Sequence, residues 1–326
     1  MKHSYITLFL LGALLLTACG HDGHVAASAA GATDAAAGDE VWETKYYKNG
    51  VFRTDGQIYS VFHSDDWIFG MSGNRMIESS DLVHWLRMGR KAFSTDEFQV
   101  ADSSGLDIVR IGDKYVMAYV GADGSIGIAE SLRIRGPYHN SRTLLAQGGK
   151  TAYGNPSFFC EGDTRWLLWD TPQGIAIGKF EWNETAPEVV EQKQIGSNSF
   201  RAPKIICKNG MYYLWATIRD SKGGIAVGRS KQLDGPYFTS DGIPMDTGGQ
   251  QVVPTVIPNS EFSCISNGSD IITDSNNDDW IIYHARTNLA GELTTVLMLD
   301  KIMWDNGWPV MSKLHASVAA QRQPRF

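Results

Sequence analysis

The chain of 326 residues is 43% hydrophobic and 11% aromatic, with a formal net charge of −7 at pH 7. That length and apolar fraction can bury a large core, and one domain of about 270 residues would use nearly all of it. The acidic balance, with no run of Lys or Arg, excludes a nucleic-acid partner, because phosphate binding needs a clustered basic face.

In chain order, Lys2 and His3 precede an apolar run from Ile6 to Leu16 that is too short to span a bilayer and ends in Leu16-Thr17-Ala18-Cys19. Residues 1–19 resemble a bacterial lipoprotein signal, in which Cys19 is lipidated and becomes the mature N-terminus. Gly20 rather than Asp follows the Cys, which by the same resemblance favours the outer membrane, with the protein facing the periplasm or the exterior. Residues 20–40, rich in Ala, Gly and Asp, read as a flexible tether without core-forming side chains. Residues 41–314 read as the folded domain, and residues 315–326 as a C-terminal tail.

Within the domain one unit recurs about every fifty residues. A polar or charged position leads into an apolar strand, a turn rich in Gly, Asp or Asn, and a strand dense in Tyr, Trp and Leu. The unit starts at Asp55 (Ile58 to Phe62, then Trp67 to Phe69), at Asp107 (Ile108 to Ile111, then Tyr115 to Tyr119) and at Asn155 (Pro156 to Cys160, then Trp166 to Trp169). It returns at Arg201 (Ile205 to Cys207, then Tyr212 to Trp215) and near Ser269 (Ile271-Ile272, then Trp280 to Tyr283). Third strands repeat as Gly127-Ile128-Ala129, Gly174-Ile175-Ala176 and Gly224-Ile225-Ala226, and two lead to the turns Gly136-Pro137-Tyr138 and Gly235-Pro236-Tyr237. Five hairpins at this spacing predict an all-β, five-bladed propeller of four-stranded blades, because each sheet buries its faces against its neighbours and the ring must close. Innermost strands run along the axis, so Asp55, Asp107, Asn155, Arg201 and the Asn267-Gly268-Ser269 stretch should meet at one mouth. Apart from Cys19, the cysteines are Cys160, Cys207 and Cys264, without metal or redox spacing. They are expected as buried thiols, with a Cys160 to Cys207 bridge the minor alternative.

Several segments resemble glycoside hydrolase family 43, five-bladed propeller glycosidases acting on arabinose-, xylose- and galactose-containing glycans. The closing run Leu299 to Ile302 with Trp304-Asp305-Asn306-Gly307-Trp308-Pro309-Val310 is similar to that family's last blade, and Ser80-Asp81-Leu82-Val83-His84-Trp85 to its first-blade turn. Trp280 to Tyr283 with His284-Ala285-Arg286 is similar to its fifth-blade strand, and Ala202-Pro203-Lys204-Ile205 to the strand that carries its general acid. The resemblance implies inversion by three carboxylates, two of which face each other across the scissile bond with room for a water. Asp55 takes the position of the base, although Gly56 stands where the family has Pro. Asn155 takes the place of the second Asp and cannot carry its charge. Arg201 takes the place of the acid Glu and stays protonated at neutral pH. Asp107 matches a substrate-lining or structural Asp of the second blade. Asn267 replaces a fifth-blade His that often helps hold a central calcium ion or water, and Arg286 is placed to bind a hydroxyl or carboxylate or to form a structural ion pair. No cofactor or metal is expected, although Asn and carbonyl oxygens can ligate calcium.

The sequence thus describes a glycoside hydrolase of the cell envelope, attached through a lipid alone, acting as a monomer on an oligo- or polysaccharide. The substitute acid is open among Glu130, Glu161 and Glu261, or dispensable for a good leaving group. The alternative is a sugar-binding propeller that has lost hydrolysis, since general acid catalysis contributes typically 10² to 10⁴-fold.

Overall fold

A computed structural model of the chain describes residues 45–54, 58–64, 67–94, 100, 105–147, 152–183, 186–220, 223–247, 255–266, 270–311 and 315–326. Two short strands come first, β1 (Tyr46–Tyr47) and β2 (Phe52–Thr54). The first blade is β3 (Ile58–Ser64), β4 (Trp67–Ser72), β5 (Arg75–Ser79) and β6 (Leu86–Lys91). The second is β7 (Leu106–Ile111), β8 (Lys114–Val120), β9 (Ile126–Ser131) and β10 (His139–Leu145). The third is β11 (Gly154–Glu161), β12 (Thr164–Thr171), β13 (Gly174–Glu181) and β14 (Glu188–Ser197), and the fourth β15 (Phe200–Lys208), β16 (Met211–Ile218) and β17 (Ile225–Ser230). The fifth sheet holds β18 (Ser263–Ser266), β19 (Ile271–Thr273), β20 (Asp279–Leu289), β21 (Glu292–Asp305) and β22 (Trp308–Met311), and β23 (Gln321–Arg322) follows. The described residues contain no helix.

The architecture is a five-bladed propeller whose cores lie between blades. Successive side chains of a strand point to opposite faces, so each blade feeds two cores. In β8, Met117 and Tyr119 pack with Phe62, Phe69 and Met71 of the first blade, while Val116 and Ala118 pack with Phe158, Leu167 and Trp169 of the third. Leu168 and Ile177 meet Leu214 and Ala216 between blades three and four, and Trp215 and Val227 meet Ile281 and Met298 between four and five. The ring closes where Val61, Ile68 and Ile77 pack on Trp280, Ile282 and Leu297. Each such fully buried apolar side chain contributes roughly 1.5–3 kcal/mol.

Hydrogen bonding also closes the ring, because β2 pairs with β21 as the outer strand of the fifth blade before the chain enters β3. Outside it, β1 pairs with β23, so residues 321–322 of the C-terminal segment return to the start of the domain.

Two blades differ from the expected four regular strands. Among the described residues the fourth has three, and its outer position is held by a bridge between Arg229 and Phe238, just after the Gly235-Pro236 turn. Pro236 has no N–H to donate to a longer ladder. In the fifth, the inner strand is split into β18 and β19, both paired with β20. The repeated Gly-Pro-Tyr turns match closely. Both Gly–Pro bonds are cis, and the fully buried Tyr138 and Tyr237 donate their hydroxyls to the carbonyls of Ile134 and Leu233 at 3.0 and 2.6 Å. The described cysteines are less enclosed than expected, since Cys264 is exposed and Cys160 and Cys207 are half-buried, and no disulfide joins them. Cys160 and Cys207 lie toward the far ends of β11 and β15, at the margins of the cores they pack against.

Candidate active site

The inner strands β3, β7, β11 and β15 stand side by side around the axis. Asp107, Asn155 and Arg201 are each the second residue of an inner strand, so these three of the leading positions lie at one end of the ring. Local backbone geometry aims them. The β11–β12 register shifts between Gly154 and Ser157, and the β15–β16 register shifts between Arg201 and Lys204. Within these bulges Asn155 (φ 44) and Ala202 (φ 51) adopt left-handed conformations ahead of Pro156 and Pro203. A proline adds no ladder donor, and a bulge re-aims the side chains beside it. The resulting small pocket is lined by Gly105, Asn155, Ser157, Ala202 and Lys204, among others. Gly105 (φ +87) permits a close approach, since a Cβ there would stand 2.7 Å from Asn155 Cα and 2.8 Å from Asn155 Oδ1. The Ser157 hydroxyl is 1% exposed and has no hydrogen-bond partner among the described residues.

Beneath the mouth lies a buried ion cluster drawn from three blades. Lys204 Nζ is 2.8 Å from Asp107 Oδ2 and 3.8 Å from Asp270 Oδ2. Asp107 also accepts the N–H of Phe158 at 2.9 Å, joining the second blade to the third. Burial works against the Lys204 ammonium, but Asp107 and then Asp270 hold its pKa above the ordinary lysine value. Asp107 is therefore the ion-pair partner of Lys204, which lines the pocket. No group of three or more His, Cys, Asp or Glu side chains that could hold a metal occurs among the described residues. Among the described residues, the carboxylates of Asp107 and Asp270 face the Lys204 ammonium, a donor set that does not fit a calcium ion.

A second carboxylate, which the leading-position argument missed, sits behind Asn155. Asp170, in β12 and 5% exposed, accepts Asn155 Nδ2 at 2.7 Å on Oδ2 and the Ala202 N–H at 2.9 Å on Oδ1. Arg219 lies 3.5 Å from Oδ2. Burial pushes the Asp170 pKa up to about 6, opposed by the Asn155 amide, Arg219, the Ala202 N–H and the charge of Arg201. Arg201 itself is exposed at the rim. Asp170 pairs with Gly154 across the hairpin, which places it at the mouth end of its strand.

The other predicted positions divide. Arg286 is exposed on β20 opposite Ser263, at the strand end facing the mouth. Asp55, Asn267 and Cys19 lie outside the described residues. Of the candidate acids, Glu161 ends β11, away from Asn155, and accepts the Tyr212 hydroxyl at 2.6 Å. Glu130, near the end of β9, is taken by Lys114 at 3.3 Å and Asn140 at 2.8 Å. Both sit at the opposite end of the ring from the pocket. Glu261 is exposed just before β18.

Known proteins share this fold. The extracellular exo-α-(1→5)-L-arabinofuranosidase ArbA of Cellvibrio japonicus is 30% identical over 140 residues, covering 40% of this chain and 39% of that protein. The solved Bacteroides ovatus xyloglucan PUL GH43B superposes with a TM-score of 0.69 at 16% identity, covering 86% of this chain and 59% of that one. The α-L-arabinanase of Cellvibrio cellulosa, solved with arabinohexaose, superposes with a TM-score of 0.64 at 21% identity, covering 79% of this chain and 96% of that one. The chain thus spans about two fifths of the first of these proteins and under two thirds of the second. At such identities the two structures speak for the fold. The family model for glycosyl hydrolases family 43 matches residues 41–309, which takes in all five blades and the mouth with Asn155 and Arg201, and the chain belongs to that family.

Proposed function

We propose that the protein is a glycoside hydrolase acting on arabinose- or xylose-containing glycans at the mouth of the propeller. The observation that carries this reading is the placing of Asp107, Asn155 and Arg201 at one end of the ring, beside a pocket lined by Asn155 and by a buried Ser157 hydroxyl that has no partner among the described residues, in a chain of this family. Similarity to an arabinofuranosidase and to an arabinanase bound to arabinohexaose supports the sugar class. In this reading Asp55 takes a proton from the attacking water. Arg201, a fixed cation at the rim, stabilises negative charge on the departing oxygen or on a uronic acid carboxylate.

A second reading, a sugar-binding propeller without hydrolysis, is favoured by one specific observation: Asn155 and Arg201 both lack an acidic proton at neutral pH. One experiment separates the two. The purified domain is incubated with arabino- and xylo-oligosaccharides, and both new reducing ends and binding heats are measured. Product that disappears in Asp55→Asn supports the hydrolase. Binding without product supports the second reading, and neither product nor binding overturns both. We further propose attachment to the cell envelope through lipidated Cys19. Cys19→Ser should release the protein from the membrane fraction, and retention at parent levels would refute the anchor.

A further inference from the structure

We propose that Asp170 is a positioning residue of this pocket, which restores from the neighbouring strand the carboxylate absent at position 155 and fixes which way the Asn155 amide faces. The inference rests on the glycosidase reading for its ligand, and on geometry for its substance. Asp170 Oδ2 accepts from Asn155 Nδ2 at 2.7 Å, so the donor end of that amide is committed backward, into the protein. The acceptor end is then turned toward Gly105, in the pocket lining. A carboxylate, lacking hydrogens, can accept but not donate, and so enforces this polarity. Asp170 is itself held by the Ala202 N–H from the next blade, by Arg219 after β16 and by the field of Arg201 on β15. It therefore links the two positions at which the family's carboxylates are replaced. A substrate hydroxyl would meet a fixed acceptor at Asn155, and Arg201 would feel a negative charge close behind it. Loss of that charge as Asp170 takes up a proton also frees the amide to turn, which couples the polarity of the pocket to pH.

The test uses the full mature chain and arabinohexaose. Asp170→Asn should weaken binding or lower kcat/KM about tenfold, the scale of one hydrogen bond. The parent profile should carry an inflection near pH 6, which Asp170→Asn should abolish. The exchange Asn155→Asp with Asp170→Asn returns the carboxylate to the inner strand and preserves the side-chain pair, so it should recover to within about threefold. A residue needed for folding alone would not be rescued in this way, and thermal melts of each variant report folding separately. The proposal is overturned if Asp170→Asn keeps the parent affinity and pH profile, or if the exchange is no better than Asp170→Asn while both are folded. If these variants do not fold, the parent decides. Its Asn155 side-chain amide resonance should titrate with the Asp170 carboxyl, and an amide that ignores that midpoint refutes the coupling. If no saccharide binds the parent, the glycosidase reading fails, whereas the same titration still confirms or refutes the Asp170–Asn155 device.

Discussion

Replacing Lys204 with Met removes one positive charge from the axis and keeps most of the side-chain volume. In the parent, the Lys204 ammonium is 7% exposed and stands 2.8 Å from Asp107 and 3.8 Å from Asp270. The variant leaves two carboxylates facing each other in a site closed to water. Breaking a buried pair by deleting one partner costs about 3–5 kcal/mol, because the surviving charge is uncompensated. At about 2 °C or more per kcal/mol for a domain of this size, the melting temperature should fall by about 6 °C or more. The sign with pH follows from the raised Lys204 pKa. Its contribution is fully present below the ordinary lysine value of about 10.4 and is lost as pH rises through the higher folded value. The gap between parent and Lys204→Met should therefore be wide at pH 7, shrink in strong alkali, and shrink again in acid, where protonated carboxyls need no partner. Adding Asp107→Asn should cost less than the sum of the single changes, since the two groups act as a pair. Urea unfolding followed by tryptophan fluorescence measures all of this. A loss under about 1 kcal/mol, or a gap that does not change with pH, would falsify the claim that the ammonium neutralises the axis.

The remaining predictions concern the buried groups and the turns. Asp170 and Asp300 are both pushed up to about 6 by burial, so the stability each contributes is present below about 3.8 and is lost as pH rises through about 6. Asp300→Asn, read by urea midpoints between pH 4 and 7, should flatten part of that decline, and an unchanged slope would contradict it. His284, fully buried, is held down to about 3, so its contribution is present above 6.5 and fades as pH falls toward 3. His284→Gln should accordingly gain on the parent as pH drops from 6.5 to 4, and a constant difference between them would count against the burial argument. Gly174 has φ +138, and a Cβ there would fall on the carbonyl of Gly196. Gly174→Ala should cost more than about 2 kcal/mol in the same assay, and a cost under about half a kcal/mol would show that the hairpin yields easily.

Period and alternation made the hairpins legible. The runs at Ile108 and Tyr115, at Pro156 and Trp166, and at Ile205 and Tyr212 lie inside β7 and β8, β11 and β12, and β15 and β16. Gly-Pro-Tyr turns carried a signal of their own, because a buried tyrosine bonds back four residues in both copies. What escaped had no local pattern. The strand Phe52–Thr54 is too short to show alternation, and its pairing with β21 joins residues from opposite ends of the chain. Lys204 stood inside a recognisable Ala-Pro-Lys-Ile run, yet nothing in that run says that its ammonium reaches across the axis to Asp107 and Asp270. Asp170 precedes Thr171-Pro172-Gln173-Gly174 and reads as the lead into a turn. The bulge around Asn155 turns it into a neighbour of the pocket, and bulges depend on the register of two strands at once.

The clasp of the ring has a consequence for when the protein becomes competent. The chain leaving β2 passes directly into the link that carries Asp55 and then into the innermost strand of the first blade. A ring with its last seam undone therefore leaves the strand that leads into the first blade unpaired. On the proposed role of Asp55, the pairing of Phe52–Thr54 with Thr295–Leu297 fixes the chain just ahead of it, so that closing the seam and completing the proposed site go together. On that reading, partly assembled molecules are silent, and the hoop acts only once it is fastened.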